Sequence, residues 1–317
     1  MAARAEVARA FADMYLEHFG LARKPFRLTP EPGLRFPEPS QQITLNTLEL
    51  ALADGEGFIK VTGEVGLGKT LLCRTLLARL QPPFVTAWIP DPQLSPGSLR
   101  RALADELGIE RSARASLNEL HGLIQQRLLQ LARQGLRPVL IIDEAQALSP
   151  SALEAVRLLT NLETESRKLL QVVLFGQPEF DQRLAQPNLR QLRQRITFSC
   201  RLEPLSAAGV AQYVEHRTRA AGAPQPLFTP AALRRIARAS RGVPRLVNIL
   251  AHKALIAAWG RGRASAGSVE VGRAIADTES VHRATRGWPG RLARAAGVAL
   301  LAVSVWAWFS GTPGGWR

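Results

Sequence analysis

Residues 63–70 read GEVGLGKT, three glycines, a lysine and a threonine between FIKVT at 58–62 and LLCRTLLARL at 71–80. The pattern G-x-x-x-x-G-K-[ST] between a strand-like and a helix-like run is a phosphate cradle. Glycines let successive backbone N–H groups curl round an anion with no Cβ in the way. The helix that follows adds the positive end of its dipole. Lys69 is then expected to reach β- and γ-phosphates, and Thr70 to place its hydroxyl on Mg²⁺. Gly63, Glu64, Val65, Gly66, Leu67, Gly68, Lys69, Thr70 and Leu71 form the expected nucleotide-binding set.

A second signal lies at 139–146, VLIIDEAQ. Two adjacent carboxylates after a run of four apolar residues are electrostatically costly and need a reason. A Mg²⁺ ion supplies one: Asp143 would hold it through water, and Glu144 would orient and deprotonate an attacking water. Phosphoryl transfer needs charge stabilisation beyond the metal. Gln177, in the GQPEF that ends the run at 169–176, is placed to touch the γ-phosphate or the water. Arg190, Arg193 and Arg195 precede the last strand-like run, where an arginine can point into a neighbouring subunit's nucleotide; a basic helix end is the alternative. Arg193 and Arg195 are the expected fingers. In GVPR at 242–245, Gly242 and Pro244 would aim Arg245 at the γ-phosphate from a lid helix.

These residues need elements to carry them. Short apolar runs recur at 58–62, 84–88, 138–143, 169–176 and 196–202, each reading as a strand. Segments with helical spacing lie between them, which predicts an α/β fold with a parallel sheet sandwiched by helices. Five prolines in 24–40 exclude regular structure there. After about residue 203 only helical patterns remain, with Thr229-Pro230 an N-cap followed by proline at the first helical position. The expected organisation is an extension and proline-rich lead-in over 1–40, a nucleotide-binding core over 41–203, a helical lid over 204–280, a basic linker over 281–294 and a membrane helix over 295–315.

Composition sets the class. The chain has 317 residues, 46% hydrophobic and 21% charged, in line with a globular protein. Lysine and arginine outnumber aspartate and glutamate 41 to 26, a net charge of +15, and the excess is arginine. Such a chain suits nucleic acid, an anionic membrane face or an acidic partner; a coding bias towards arginine is the plain alternative. No Lys/Arg block interleaved with aromatics marks a nucleic-acid groove. Cys73 and Cys200 lack metal spacing and read as reduced, buried thiols. Residues 1–19 carry scattered charges and no apolar run, so they do not read as a secretory signal.

GEVGLGKT, LIIDEAQ, LFGQPEF, LRQRITF and GVPRLVN, in this order, resemble the AAA+ ATPases of the ExeA/GspA type from bacterial secretion and the related pilus-biogenesis ATPases of the MshM type. The opening MYLEHFGLARKPFRLTPEP resembles theirs too, with Glu31 where the family pattern has aspartate. The resemblance covers about residues 14–280. It implies a P-loop core with a helical lid, ATP as substrate and assembly into a ring, with the segment before the P-loop near the adenine. Members of the secretion type carry a long periplasmic region with a peptidoglycan-binding module. This chain stops at Arg317, which argues against direct peptidoglycan binding. The thirteen residues before Met14 have no counterpart in the pattern, so translation from Met14 is one expectation and a helical extension the other.

The function these features imply is an ATPase that drives or regulates assembly of a secretion or pilus machine. Its partners would be proteins of that machine and the inner membrane. The alternative is a DNA-acting ATPase of the transposition-helper or origin-recognition kind; a nucleotide-binding scaffold without hydrolysis is argued against by Asp143 and Glu144 together. The tail separates the first two. Residues 295–315 carry no charge, about the length a membrane-spanning helix needs. Trp306 and Trp308 lie towards its far end, and Arg283, Arg286, Arg291 and Arg294 precede it. The positive-inside rule then keeps the ATPase in the cytoplasm. The alternative is a helix packed on the protein or lying in the interface.

Overall fold

The computed structural model describes residues 14–279 apart from 28–33, 35, 111, 113–114 and 163–167. The described chain divides into two compact units, one of residues 34–205 with Val243–Arg245 and one of residues 14–27, 206–242 and 246–279.

The first unit is a five-stranded parallel sheet with helices on both faces. Helix α1 (Pro39–Ala53) leads into β1 (Phe58–Thr62), then α2 (Lys69–Arg79), β2 (Phe84–Ile89), α3 (Pro96–Glu106), α4 (Leu117–Arg133) and β3 (Arg137–Ile142). There follow α5 (Pro150–Leu159), β4 (Gln171–Gly176), α6 (Pro178–Leu184), α7 (Arg190–Arg195) and β5 (Ile196–Arg201). The spatial order is β2-β3-β4-β1-β5, so β4 and β1 are central and their ends meet in the middle of the sheet.

Strand residues alternate between faces, and in β1, β3 and β4 both faces are buried, whereas the edge strand β5 leaves one face exposed. Val139, Ile141, Val173 and Phe175 pack with Ile59 and Val61 against α1 and α2, while Leu140, Ile142, Val172 and Leu174 pack against α3, α4 and α5. Each such side chain, fully buried, contributes about 1.5–3 kcal/mol, which is why every residue of β4 is apolar or bonded. Its one polar residue, Gln171, donates to Leu52 O and Glu56 O, both at 3.0 Å. The apolar runs overstate three strands slightly, β5 ending at Arg201. β4 begins at Gln171, and β3 ends at Ile142, so Asp143 lies just past the strand and is released from its pleat.

The second unit is helical: α8 (Ala207–Ala220), α9 (Pro230–Ser240), most of α10 (Pro244–Trp259) and α11 (Ser268–Ala276). Thr229 Oγ1 accepts from Ala232 N at 3.2 Å, with Pro230 at the first helical position. Residues 14–19 are helical and belong to this unit. Ala22 N donates to Ala221 O at 2.8 Å, and Arg217 Nε to Pro25 O at 2.6 Å. Among the described residues no helix is long and apolar enough to cross a membrane. The expected helix at 295–315, the linker before it and the segment preceding Met14 lie outside the described residues.

Candidate nucleotide and metal site

The site forms where β1, β3 and β4 end. Gly63 N donates to Gly176 O at 3.2 Å, tying the first loop residue to the end of β4. Gly66 and Gly68 have φ of 87° and 93°, a conformation that favours glycine. Gly68 directly precedes the first residue of α2, so the loop turns straight into the helix N-terminus. Leu67 is buried beneath the loop, whereas Glu64, Val65 and Thr70 are exposed and Leu71 follows in the first turn of α2.

Lys69 is buried, and its Nζ donates to Gly63 O at 2.8 Å and Glu64 O at 3.1 Å. Burial pulls its pKa down, against the opposing pull of Glu144 and Asp143. A cation placed against the loop that can exchange these carbonyls for phosphate oxygens suits a nucleotide. Asp143 is 2% exposed. Burial raises its pKa, opposed by the nearby Thr70 hydroxyl and by a hydrogen bond from Glu144 N at 2.9 Å. Thr70 and Asp143, expected to share a metal, are therefore neighbours. A hydroxyl and a buried carboxylate are hard oxygen donors, the set Mg²⁺ takes when substrate phosphates and water complete its shell.

Glu144 adopts φ 50°, ψ 40°, in the left-handed region. Its Oε2 accepts from Gln177 Nε2 at 3.0 Å and from Gln146 Nε2. Burial raises the Glu144 pKa, but these two amides and the Lys69 charge outweigh it and hold the carboxyl below its ordinary value. The structure thus brings Lys69, Thr70, Asp143, Glu144 and Gln177 together. Gln177 meets Glu144 directly.

Arg245 also meets the loop: its N donates to Gly66 O at 3.3 Å, and its Cβ lies 2.8 Å from where a Cβ on Gly66 would stand. The turn before it contains Arg241 and Gly242 at φ 51° and 77°. Arg193 and Arg195 are not among the partners of these groups. Arg193 is exposed on α7, and Arg195 Nη1 donates to Thr160 Oγ1 at 3.5 Å, beyond the end of α5. Sequence reasoning passed over Gln146 and Arg183. Gln146 Oε1 accepts from Gln177 N at 3.0 Å, and Arg183 Nη1 donates to Gln146 O. The only signal for Gln146 was its place two residues after Glu144.

Residues 52–184, which include the P-loop, Asp143, Glu144 and Gln177, match the family model described as AAA domain. Over 295 residues, 93% of this chain, the sequence is 42% identical to "General secretion pathway protein A" of Aeromonas hydrophila. The chain is a relative of general secretion pathway protein A. It spans 54% of the length of that protein. The fold is shared with origin-recognition proteins. The Drosophila ORC bound to DNA superposes with a TM-score of 0.63 at 21% identity, covering 82% of this chain and 65% of that one. The Aeropyrum pernix ORC2 protein gives 0.59 at 16%, covering 80% and 71%. These likenesses concern the fold alone.

Proposed function

We propose that this chain binds ATP and hydrolyses it, as part of a secretion or pilus machine at the inner membrane. The observation that carries the hydrolysis reading is the convergence of Lys69, Thr70, Asp143, Glu144 and Gln177 at the carboxyl ends of central parallel strands, where ligands of open α/β sheets bind. In this reading the loop N–H groups and Lys69 cradle the phosphates. Thr70 and Asp143 offer oxygen donors for Mg²⁺, which when bound neutralises charge on the phosphates. Glu144 takes a proton from the attacking water, Gln177 senses the γ-phosphate, and Arg245, whose backbone packs on Gly66, reaches it. The exposure of Arg193 supports it over Arg195 as a finger acting across a subunit interface in a ring-type homo-oligomer.

The relationship to general secretion pathway protein A supports the machine. The membrane rests on residues 295–315 and the arginines before them. One observation favours the DNA-acting alternative. Residues 216–269 contain no aspartate or glutamate and ten lysines and arginines, a charge asymmetry that nucleic acid would match.

The test is a set of variants in one assay. Glu144→Gln should keep ATP binding and lose turnover, and Lys69→Ala should lose both. Mixing Glu144→Gln with Arg193→Ala should recover turnover at interfaces that join an intact site to an intact finger. Wild-type turnover in Glu144→Gln would sink the assignment of the base, and no recovery on mixing would remove the finger.

A further inference from the structure

We propose that Gln146 is a positioning residue, whose single side-chain amide fixes the Glu144 carboxylate and yokes it to Gln177. The inference rests on the hydrolysis reading for its consequence, but its geometry stands alone.

Two facts fix the amide. Its Oε1 accepts from Gln177 N at 3.0 Å, and its Nε2 donates to Glu144 Oε2. A backbone N–H can only donate and an ionised carboxylate can only accept, so both partners demand the same orientation. A flipped amide would lose both bonds. The main chain of Gln146 is held as well, because its carbonyl accepts from Arg183 near the end of α6. One residue therefore joins the turn after β3, the start of α6 and its last turn.

The Gln177 N–H is a donor at the start of α6, where the helix makes no side-chain cap of its own. Glu144 needs the tie for a different reason. Its backbone is in the left-handed region, and its side chain has three rotatable bonds between that backbone and the carboxylate. Gln177 Nε2 and Gln146 Nε2 both act on Oε2. Among the described residues Oε1 has no hydrogen-bond donor, which leaves it to face water. A shift of Gln177 towards a ligand beyond β4 would reach Glu144 both directly and through Gln146. The arrangement makes orientation of the base respond to Gln177 by two routes, one through each amide.

Gln146→Glu separates this role from a structural one. The isosteric carboxylate can still accept from Gln177 N, but it cannot donate to Glu144 and repels it. We expect ATP KM to stay within about two-fold while kcat falls about ten-fold or more, since a well-placed base contributes about 10²–10⁴ in rate. The reciprocal swap, Gln146→Glu with Glu144→Gln, restores one donor–acceptor pair between the two positions. Gln146→Glu alone should lower Tm by about 3 °C, and the swap should return it to that of Glu144→Gln. Unchanged kcat in Gln146→Glu, or a Tm deficit that the swap does not relieve, overturns the inference. A wild-type chain that never turns over ATP overturns the hydrolysis reading instead; the melting cycle still decides the tie between Gln146 and Glu144.

Discussion

Gly66 shows how tightly one residue can be specified by its neighbours. Its φ of 87° costs an ordinary L-residue about 1–2 kcal/mol. Space adds a second constraint: a Cβ there would stand 2.8 Å from Arg245 Cβ and 3.1 Å from Val243 Cγ1. Both contacts are to parts close to the backbone, which cannot swing away as a side-chain tip can. Gly66→Ala should therefore lower Tm and weaken ATP binding together, because relieving the clash displaces either the loop or Arg245. Calorimetry and a nucleotide titration check it. A wild-type melting curve would mean that the loop does not hold this conformation. Cys73 illustrates the opposite case: burial pushes its thiol up to about 12, so it stays protonated and acts as a core residue.

At the scale of elements, α11 depends on a buried charge. Glu270 is 1% exposed and lies in the first turn. It accepts from Gly267 N at 2.9 Å and from Arg261 Nη1 at 3.0 Å, with Arg263 Nε 3.8 Å away. Burial raises its pKa, but the backbone hydrogen bonds and the two arginines outweigh burial and leave it below the ordinary carboxylate value. A depressed carboxylate stabilises the fold above its unfolded pKa, and that stability is lost as pH falls through the folded value. Glu270→Gln should thus cost about 2 kcal/mol at neutral pH, the value of hydrogen bonds to a charged group. The difference from wild type should vanish once acid protonates Glu270 in the folded state, below the ordinary carboxylate range. Denaturant titrations across pH read this, and a pH-independent difference would assign the cost to packing.

For the whole molecule, charge and apolarity point two ways. The stretch 216–269 is basic and free of acids, and the uncharged segment 295–315 follows arginines at 283, 286, 291 and 294. If the tail anchors the chain, the full chain should remain in the pellet after a carbonate wash while a truncation ending at Thr285 is released. A full chain in the supernatant would remove the anchor. The same truncation on a DNA column discriminates the alternative. Retention that falls steeply with salt, as counterion release requires, would favour it, and passage at low salt would count against it.

Periodicity and composition determined much of this protein unaided. Short apolar runs made five strands legible, since the inner strands, buried on both faces, take apolar residues at nearly every position. GEVGLGKT was legible because its glycine spacing serves one backbone geometry. Thr229-Pro230 was legible because capping is local chemistry. Local signals do not carry the order β2-β3-β4-β1-β5, and it is that order which sets Gly63 against Gly176 and Gln177 beside Glu144. The amide of Gln146, the closeness of Thr70 to Asp143 and the packing of Arg245 on Gly66 span 31, 73 and 179 residues of sequence. Hydrogen bonds and steric fit act over a few ångströms, so only the folded chain decides which residues distant in sequence meet.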